Sequence, residues 1–410
     1  MINSETRFGL KSPWLMFGIF MFIFNRVLDM TINLPVGDIL LPLFAFAFVY
    51  RDGETARIVK SPGLYLTLLL LLWLTVSNIA NGIGFGGQFR NTFAVATLFF
   101  PVIFFMAARD RNPLMAYFIG NIIGFGLYFL YHAGMDLSQG GFSRALRSDL
   151  FTPAVPLALY FMFRRNITPA LAVTLVGLTA AGSAVAMLIE ARGAVLSIIM
   201  GAGIYVAARV SPWPKLTLPL IVIFGFAAHY ISSFFVADSL DAVMQSGNDT
   251  VSNMERAYAI DYSRMVLEQS PWFGFSPQSY VINFADFFRF TAGFGEEGDK
   301  IASPHNTFLE YGVFFGYPAA ILITLLTARF VQAGMVTKEF ARSFAVALAC
   351  AGIIRQAALY GLSGILRVEW FALILLILYF YEYKPAPKAA EPLPLRKYRM
   401  PRQPQQPATR

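Results

Sequence analysis

The segment Ser303-Pro304-His305-Asn306-Thr307-Phe308-Leu309-Glu310-Tyr311-Gly312-Val313-Phe314-Phe315-Gly316 ends a long polar stretch and runs straight into an apolar one. Thr307 and Glu310 have the spacing of a capping box, with Thr307 as N-cap and Glu310 at N3. That spacing sets His305 just outside the first turn of a helix, at the positive end of its dipole, where an anion is welcome. An imidazole fixed there can accept a proton or orient a reactant. It can equally be an interfacial histidine hydrogen-bonded in a turn, and spacing alone favours that plainer role. Gly312, Gly316 and Ala320 fall four apart, a small-residue stripe that admits a neighbouring helix.

Arginines supply the second kind of chemistry. Glu190-Ala191-Arg192-Gly193 lies between two apolar runs with almost no turn between them, so Arg192 is held at the depth of the membrane surface. Charges there have partners or substrates; pairing with Glu190 and snorkelling to headgroups are the structural alternatives. Met254, Tyr258, Tyr262, Met265 and Val266 recur at three- and four-residue steps, which predicts an amphipathic helix over 253–270 ended by Pro271-Trp272-Phe273-Gly274. Arg256 and Arg264, eight apart, roughly share a face of it. Two guanidinium forks on one face near a membrane suit phosphate oxygens. Pairing with Glu255, Asp261 or Glu268 on the same helix is the competing use. Arg144 and Arg147 lie in another loop on the same side and could add to an anionic-headgroup site.

The elements that must hold these groups are membrane helices. Hydrophobic residues make up 57% of the 410-residue chain and charged residues 14%, at a mean hydropathy of +0.57. Apolar runs of about 18 residues or more repeat from end to end, so the fold class is an all-α polytopic membrane protein of about 12 spans. The spans are expected near 13–30, 34–50, 63–81, 91–108, 114–134, 149–163, 168–189, 193–208, 216–236, 307–327, 343–360 and 369–383. The first carries Asn25 and Arg26, lacks a small-residue cleavage site and reads as retained.

Charge sorts the connections into two sides. One side collects the N-terminus, Arg51, Arg57, Lys60, Arg109, Arg111, Arg164, Arg165, Arg209, Lys215, Arg329, Lys338, Arg342 and the tail. The positive-inside rule makes that side cytoplasmic, with both termini inside. The other side holds short turns and one long loop, about 237–306. Residues 1–383 then form a single transmembrane domain and 384–410 a basic, disordered cytoplasmic tail. The net charge of +8 resides largely in that tail, which has seven Lys/Arg after Tyr383 and suits anionic lipid better than nucleic acid.

Other polar residues have plainer uses. Cys350 lies alone in an apolar run, and His132 and His229 fit interface or core positions. Arg26 with Asp29, and Arg355 beside Gln356, fit ion pairs or a cavity. Glu296, Glu297 and Asp299, spaced by Gly295 and Gly298, read as a solvated turn in place of a hard-metal cluster. The chain has no P-loop, dinucleotide fingerprint or zinc spacing.

Three pieces in order resemble the O-antigen ligase and polymerase superfamily of bacterial envelope enzymes. They are Arg192-Gly193-Ala194 opening a span, Arg256-x14-Pro271-x2-Gly274 in the large loop, and His305-Asn306 before a glycine-bearing span. Two positions depart from the pattern. Ile260 stands where an aromatic is usual, between Tyr258 and Tyr262, and Ser276 stands where a second glycine is usual.

The resemblance implies a C-type glycosyltransferase, metal-independent and without cofactor, in the bacterial inner membrane with its active site at the periplasmic face. The implied donor is an undecaprenyl-diphosphate-linked glycan, and the acceptor is lipid A-core or a growing glycan. The essential arginines of the family fall on Arg192 and Arg256, and its histidine on His305; Arg264, Arg144 and Arg147 are candidate substrate-binding groups. The spacing His305-Asn306-x3-Glu310-x-Gly312-x3-Gly316 looks more like ligases than polymerases, with an exopolysaccharide polymerase as the close alternative. A lipid-linked-oligosaccharide flippase is the non-enzymatic rival. It would line a cavity with charge and has no use for a long structured loop ending in a histidine.

Overall fold

The computed structural model describes residues 9–32, 36–51, 53–109, 111–138, 151–188, 192–213, 216–221, 223–224, 250–280, 283, 307–331 and 339–359. Among them the long regular elements are all α-helices: α1 (Pro13–Ile32), α2 (Val36–Arg51), α3 (Thr55–Val59), α4 (Pro62–Ala80), α5 (Phe85–Ala107), α6 (Asn112–Ser138), α7 (Ala154–Phe163), α8 (Pro169–Leu188), α9 (Arg192–Val210), α10 (Thr250–Gln269), α11 (Thr307–Phe315), α12 (Tyr317–Val331) and α13 (Phe340–Leu359). Prolines open α1, α4 and α8, where a missing N–H costs nothing. Hydroxyls inside apolar helices bond back one turn: Thr67 to the Gly63 carbonyl, Thr179 to Leu175 and Thr327 to Ile323. No polar side chain of that set is left to face hydrocarbon alone.

Among the described residues, three helices are long and apolar enough to cross a membrane by length and composition: Gly63–Ala80, Asn112–Met135 and Pro169–Leu188. They have different places in the bundle. The Asn112–Met135 window is 78% buried and forms a central post, whereas the other two are about one-third buried or less and belong to the outer wall. That wall presents Leu72, Val173 and Ile199 at 61–72% exposure, the apolar exterior of a protein solvated by lipid.

The post is gripped by α1. An added Cβ on Gly18 would sit 2.1 Å from the Tyr117 carbonyl oxygen, and one on Gly120 would sit 2.1 Å from that of Leu15. The two backbones touch because neither helix has a side chain there. Helices α7, α8, α9 and α13 pack together as a second group, joined to the first through α6 against α7 and α8, and through α11 against α13.

The connection after α7, the end of α9 and the start of α13 meet through charged groups. Glu339 lies 4.0 Å from Arg164, 3.8 Å from Arg165 and 3.1 Å from Arg342, and Arg209 reaches Ser343 at 3.4 Å. These partly exposed pairs hold loops together at a gain of about 0–1 kcal/mol each.

Several expected boundaries move. The span expected at 91–108 begins at Phe85, because Gly86, Gly87 and Gln88 read as a loop although Gly84 starts a helix there. The run expected to start near 149 becomes helical only at Ala154, after Pro153. The span expected at 307–327 is not one helix. It breaks at Gly316, which adopts φ +83° and separates α11 from α12. The span expected at 216–236 is described only as far as 224, and the span at 369–383 with the tail lies outside the described residues.

The contact between α1 and α6 leaves no room for a side chain. Gly120→Val should therefore overpack it, costing about 1–3 kcal/mol or more. The check is the thermal unfolding midpoint of the detergent-solubilised protein, read by tryptophan fluorescence; an unchanged midpoint contradicts the packing described.

Candidate functional site

The helix predicted at 253–270 is α10, Thr250–Gln269. Its apolar face forms a small core of its own: Ala259, Ile260, Tyr262, Val266 and Leu267 pack with Tyr280, Leu309 and Val313. The core thus joins α10 to α11, the short helix that begins two residues after His305. Ile260 is 6% exposed and Tyr262 2%, so the aromatic at this site comes from position 262, whose ring lies 5.2 Å from that of Tyr280.

Helix α10 ends in a turn built almost wholly from backbone contacts. The Gly274 N–H bonds back to the Ser270 carbonyl. Phe275 and Ser276 then donate to the carbonyls of Val313 and Phe314 at 2.8 and 3.0 Å, and Tyr317 donates to that of Pro271 at 2.9 Å. These bonds run from the turn to the end of α11 and the start of α12. They satisfy carbonyls that the end of a helix leaves without intrahelical partners.

Two glycines make this possible. A Cβ on Gly316 would fall 1.7 Å from the Trp272 carbonyl oxygen, and one on Gly274 2.4 Å from that of Val313; both residues have positive φ. The small residues at 312, 316 and 320 therefore do not form a stripe along one helix. Gly316 admits the turn's backbone, and Gly312 sits against Leu267, where an added Cβ would make ordinary contact at 3.5 Å.

Behind the core lies a buried polar group. The Tyr280 hydroxyl donates to the Ala259 carbonyl at 3.2 Å and lies 3.2 Å from the Ser263 hydroxyl, which itself bonds to Ala259. Burial holds the Tyr280 phenol above its usual pKa, Ser263 works against the shift, and charge on Tyr262 and Glu310 adds to it. The Glu310 Oε2 is shut off from solvent and has no hydrogen-bond partner. Glu310 stands in the first turn of α11, and the residue before Thr307 lies outside the described residues. The expected capping box involves side chains outside the described residues, and the fit of α11 against its neighbours closes Glu310 Oε2 off from solvent.

Residues 175–324 match the family model described as O-Antigen ligase. Over that segment the chain is similar to the O-antigen ligase family. No curated protein and no solved structure matches the chain. The match supports O-antigen ligase- or polymerase-type function in general, in a helical membrane protein.

The ligase-family segment explains the departure at Ser276. This residue has φ +67°, the left-handed region where a glycine is at home, so the serine holds a glycine's conformation. Its hydroxyl offers something in exchange. Ser276 Oγ accepts from the Ser279 N–H and meets the Ser279 hydroxyl, each at 3.2 Å, starting the turn that carries Tyr280.

The sequence-predicted site residues fall as follows. Arg192 is the first residue of α9, and Arg256 lies within α10; both have described backbone but side chains outside the described set. Arg264 is exposed on α10, away from the buried face, and has an interaction of its own. His305, Arg144 and Arg147 lie outside the described residues, as do His229, Glu190 and the 296–299 acidic turn. His132 sits between aromatic rings, 4.3 Å from Tyr128 and 5.4 Å from Tyr131, and Cys350 is buried.

Two features escaped sequence reasoning. Glu310 was legible only as a cap, although a lone acid among Phe308, Leu309, Val313 and Phe314 signals burial. The other is on α4. The Trp73 indole donates to the Phe315 carbonyl at 2.9 Å, and Ser77 and Asn81 donate to that of Phe273 at 2.6 and 3.1 Å. Their four-residue spacing in an otherwise apolar span was the available signal.

Two outcomes test this geometry. Ser276→Gly should raise stability by about 1 kcal/mol, since relief of the left-handed backbone exceeds the few tenths lost with the capping hydroxyl. Gly316→Ala should lower the unfolding midpoint in the same assay; a lower midpoint for Ser276→Gly, or an unchanged one for Gly316→Ala, would refute the backbone account. Glu310→Met should also be stabilising, by roughly 1–3 kcal/mol, because it removes an unpaired buried oxygen. Loss of glycan transfer in that stabilised variant would show the carboxyl to be kept for function.

Proposed function

We propose that this protein is an O-antigen ligase-like glycosyltransferase of the inner membrane. In this reading it moves a glycan from an undecaprenyl-diphosphate carrier to a hydroxyl of lipid A-core at the periplasmic face. One observation carries it: the family match over residues 175–324 contains positions 192, 256 and 305 in the order that the family's motifs require.

The chemistry is a single displacement. The acceptor oxygen forms a bond to the anomeric carbon while the bond from that carbon to the diphosphate oxygen breaks, and the electron pair leaves with the lipid diphosphate. Negative charge grows on the leaving group, so Arg192 and Arg256 stabilise the transition state more than the ground state. The acceptor's proton passes to His305, or His305 orients the hydroxyl while the proton passes to water. Attack opposite the leaving group inverts the anomeric centre. Arg264, with Arg144 and Arg147, adds positive charge for binding the anionic donor.

The loop architecture supports an enzyme over a flippase. Helix α10, which carries Arg256, is packed on α11, which begins two residues after His305, and a turn of backbone hydrogen bonds locks the pair. Translocation of a lipid has no need of such a lock, whereas group transfer depends on it.

Deleting the gene and analysing the envelope discriminates the roles. Uncapped lipid A-core with long chains still on the carrier is expected. Short single-repeat glycans would mean a polymerase, and lipid-linked repeats stalled on the cytoplasmic side a flippase. Complementation with Arg192→Ala, Arg256→Ala or His305→Ala should leave glycan transfer at least 100-fold down, about 3 kcal/mol of transition-state stabilisation, with normal membrane insertion. Full transfer by all three variants would remove the site assignment.

A further inference from the structure

We propose that Trp73 and Ser77 of α4, with Asn81 at its C-cap, are positioning residues that set the arginine-bearing loop helix α10 for glycan transfer. The proposal rests on the transferase reading above. The three residues precede the family-matched segment, so nothing in the match assigns them.

Two backbone carbonyls beside the turn lack helical partners. Phe315 is the last residue of α11, and the left-handed break at Gly316 removes the helical continuation that would satisfy its oxygen. Phe273 lies in the turn after α10, where no helix or strand is available to pair it. Both oxygens are met from one face of α4. The Trp73 indole N–H reaches the Phe315 carbonyl at 2.9 Å, the Ser77 hydroxyl reaches that of Phe273 at 2.6 Å, and the Asn81 amide reaches the same oxygen at 3.1 Å. Asn81 also holds the Ser77 carbonyl at 2.9 Å, which fixes the donor pair as a unit. The Trp73 ring stacks on that of Phe273, with centroids 5.7 Å apart and planes 9° from parallel.

The bonds therefore tie the turn and the end of α11 to a membrane helix, two on the Phe273 side and one on the Phe315 side of the backbone contact between Trp272 and Gly316. Since the turn is continuous with α10, the tie fixes where α10 stands relative to the bundle. Reactions that depend on near-attack geometry lose on the order of 10²-fold from a misplacement of about 1 Å. A stripe that merely packed would need neither a hydroxyl nor an amide, and the neighbouring apolar residues of α4 could fill its place.

The test uses the full-length protein in lipid nanodiscs, with a lipid-linked donor and lipid A-core. The variants are Trp73→Phe, which retains an aromatic ring but loses the N–H, and the double variant Ser77→Ala with Asn81→Ala. Hydrogen exchange followed by mass spectrometry and steady-state transfer are both measured. We expect faster exchange at residues 270–280, unchanged protection in α6, and a kcat about 10- to 100-fold lower with KM for the donor within about twofold. Unchanged exchange at 270–280 overturns the anchoring, and faster exchange with wild-type turnover overturns the positioning role. Exchange that rises across the whole chain, α6 included, makes the stripe a general determinant of the fold and also overturns the proposal. A wild-type protein that transfers nothing sinks the transferase reading itself, a result distinct from all of these.

Discussion

The backbone contact between Trp272 and Gly316 constrains everything around it. A carbonyl oxygen occupies the place where any other residue at 316 would put its Cβ, so the loop can dock there only against glycine. That contact ends α11, sets the start of α12 and brings the C-terminal end of α10 onto the bundle. It also gives α10 and α11 a shared direction, since both run toward the same turn and share a core along their length.

Docking a loop at the edge of a membrane raises a second problem. Irregular backbone exposes carbonyls and N–H groups, and near hydrocarbon these must be met from within the protein. Here the answer comes from three directions: the turn pairs with α11, Tyr317 returns a bond to Pro271, and α4 supplies side-chain donors for the oxygens left over. Such a junction is rigid because each bond removes freedom from a different segment. Thr67, Trp73, Thr75 and Ser77 are tolerated within an apolar span for the same reason, as their donors are occupied.

The division between what was legible in the sequence and what was not follows this physics. Helix α10 was readable because its apolar residues recur at helical steps, and the observed Thr250–Gln269 differs from the expected 253–270 by a few residues. The long spans α1, α4, α6 and α8 were readable for a simpler reason, since bulk hydropathy needs no partner to be recognised. The break at Gly316 was not readable. A glycine inside an apolar run looks like a helix-packing residue unless the approaching backbone of Trp272 is known, and that backbone is 44 positions away in the chain. Glu310 is similar: its separation from Thr307 matches a cap, but the burial of its Oε2 depends on how α11 packs, which spacing alone does not encode. At the site, residue types and order pointed to Arg192, Arg256 and His305, while the distances among them depend on segments outside the described residues.

The placement of the two arginines has a consequence for the proposed chemistry. Arg192 opens α9, which packs on α7, α8 and α13, whereas Arg256 belongs to α10, which packs on α11. In the proposed reading both arginines meet one diphosphate, and on a single flexible element their mutual repulsion would spread them apart. Carried on separate packed units, they resist the repulsion through the rigidity of the units themselves. The stabilisation is then present before the leaving group acquires its charge, as electrostatic preorganisation requires. The coupling between the units runs through α11, which touches α10, α13 and α4 together. A nine-residue helix with a glycine break at its end is thus the joint between the two packed units.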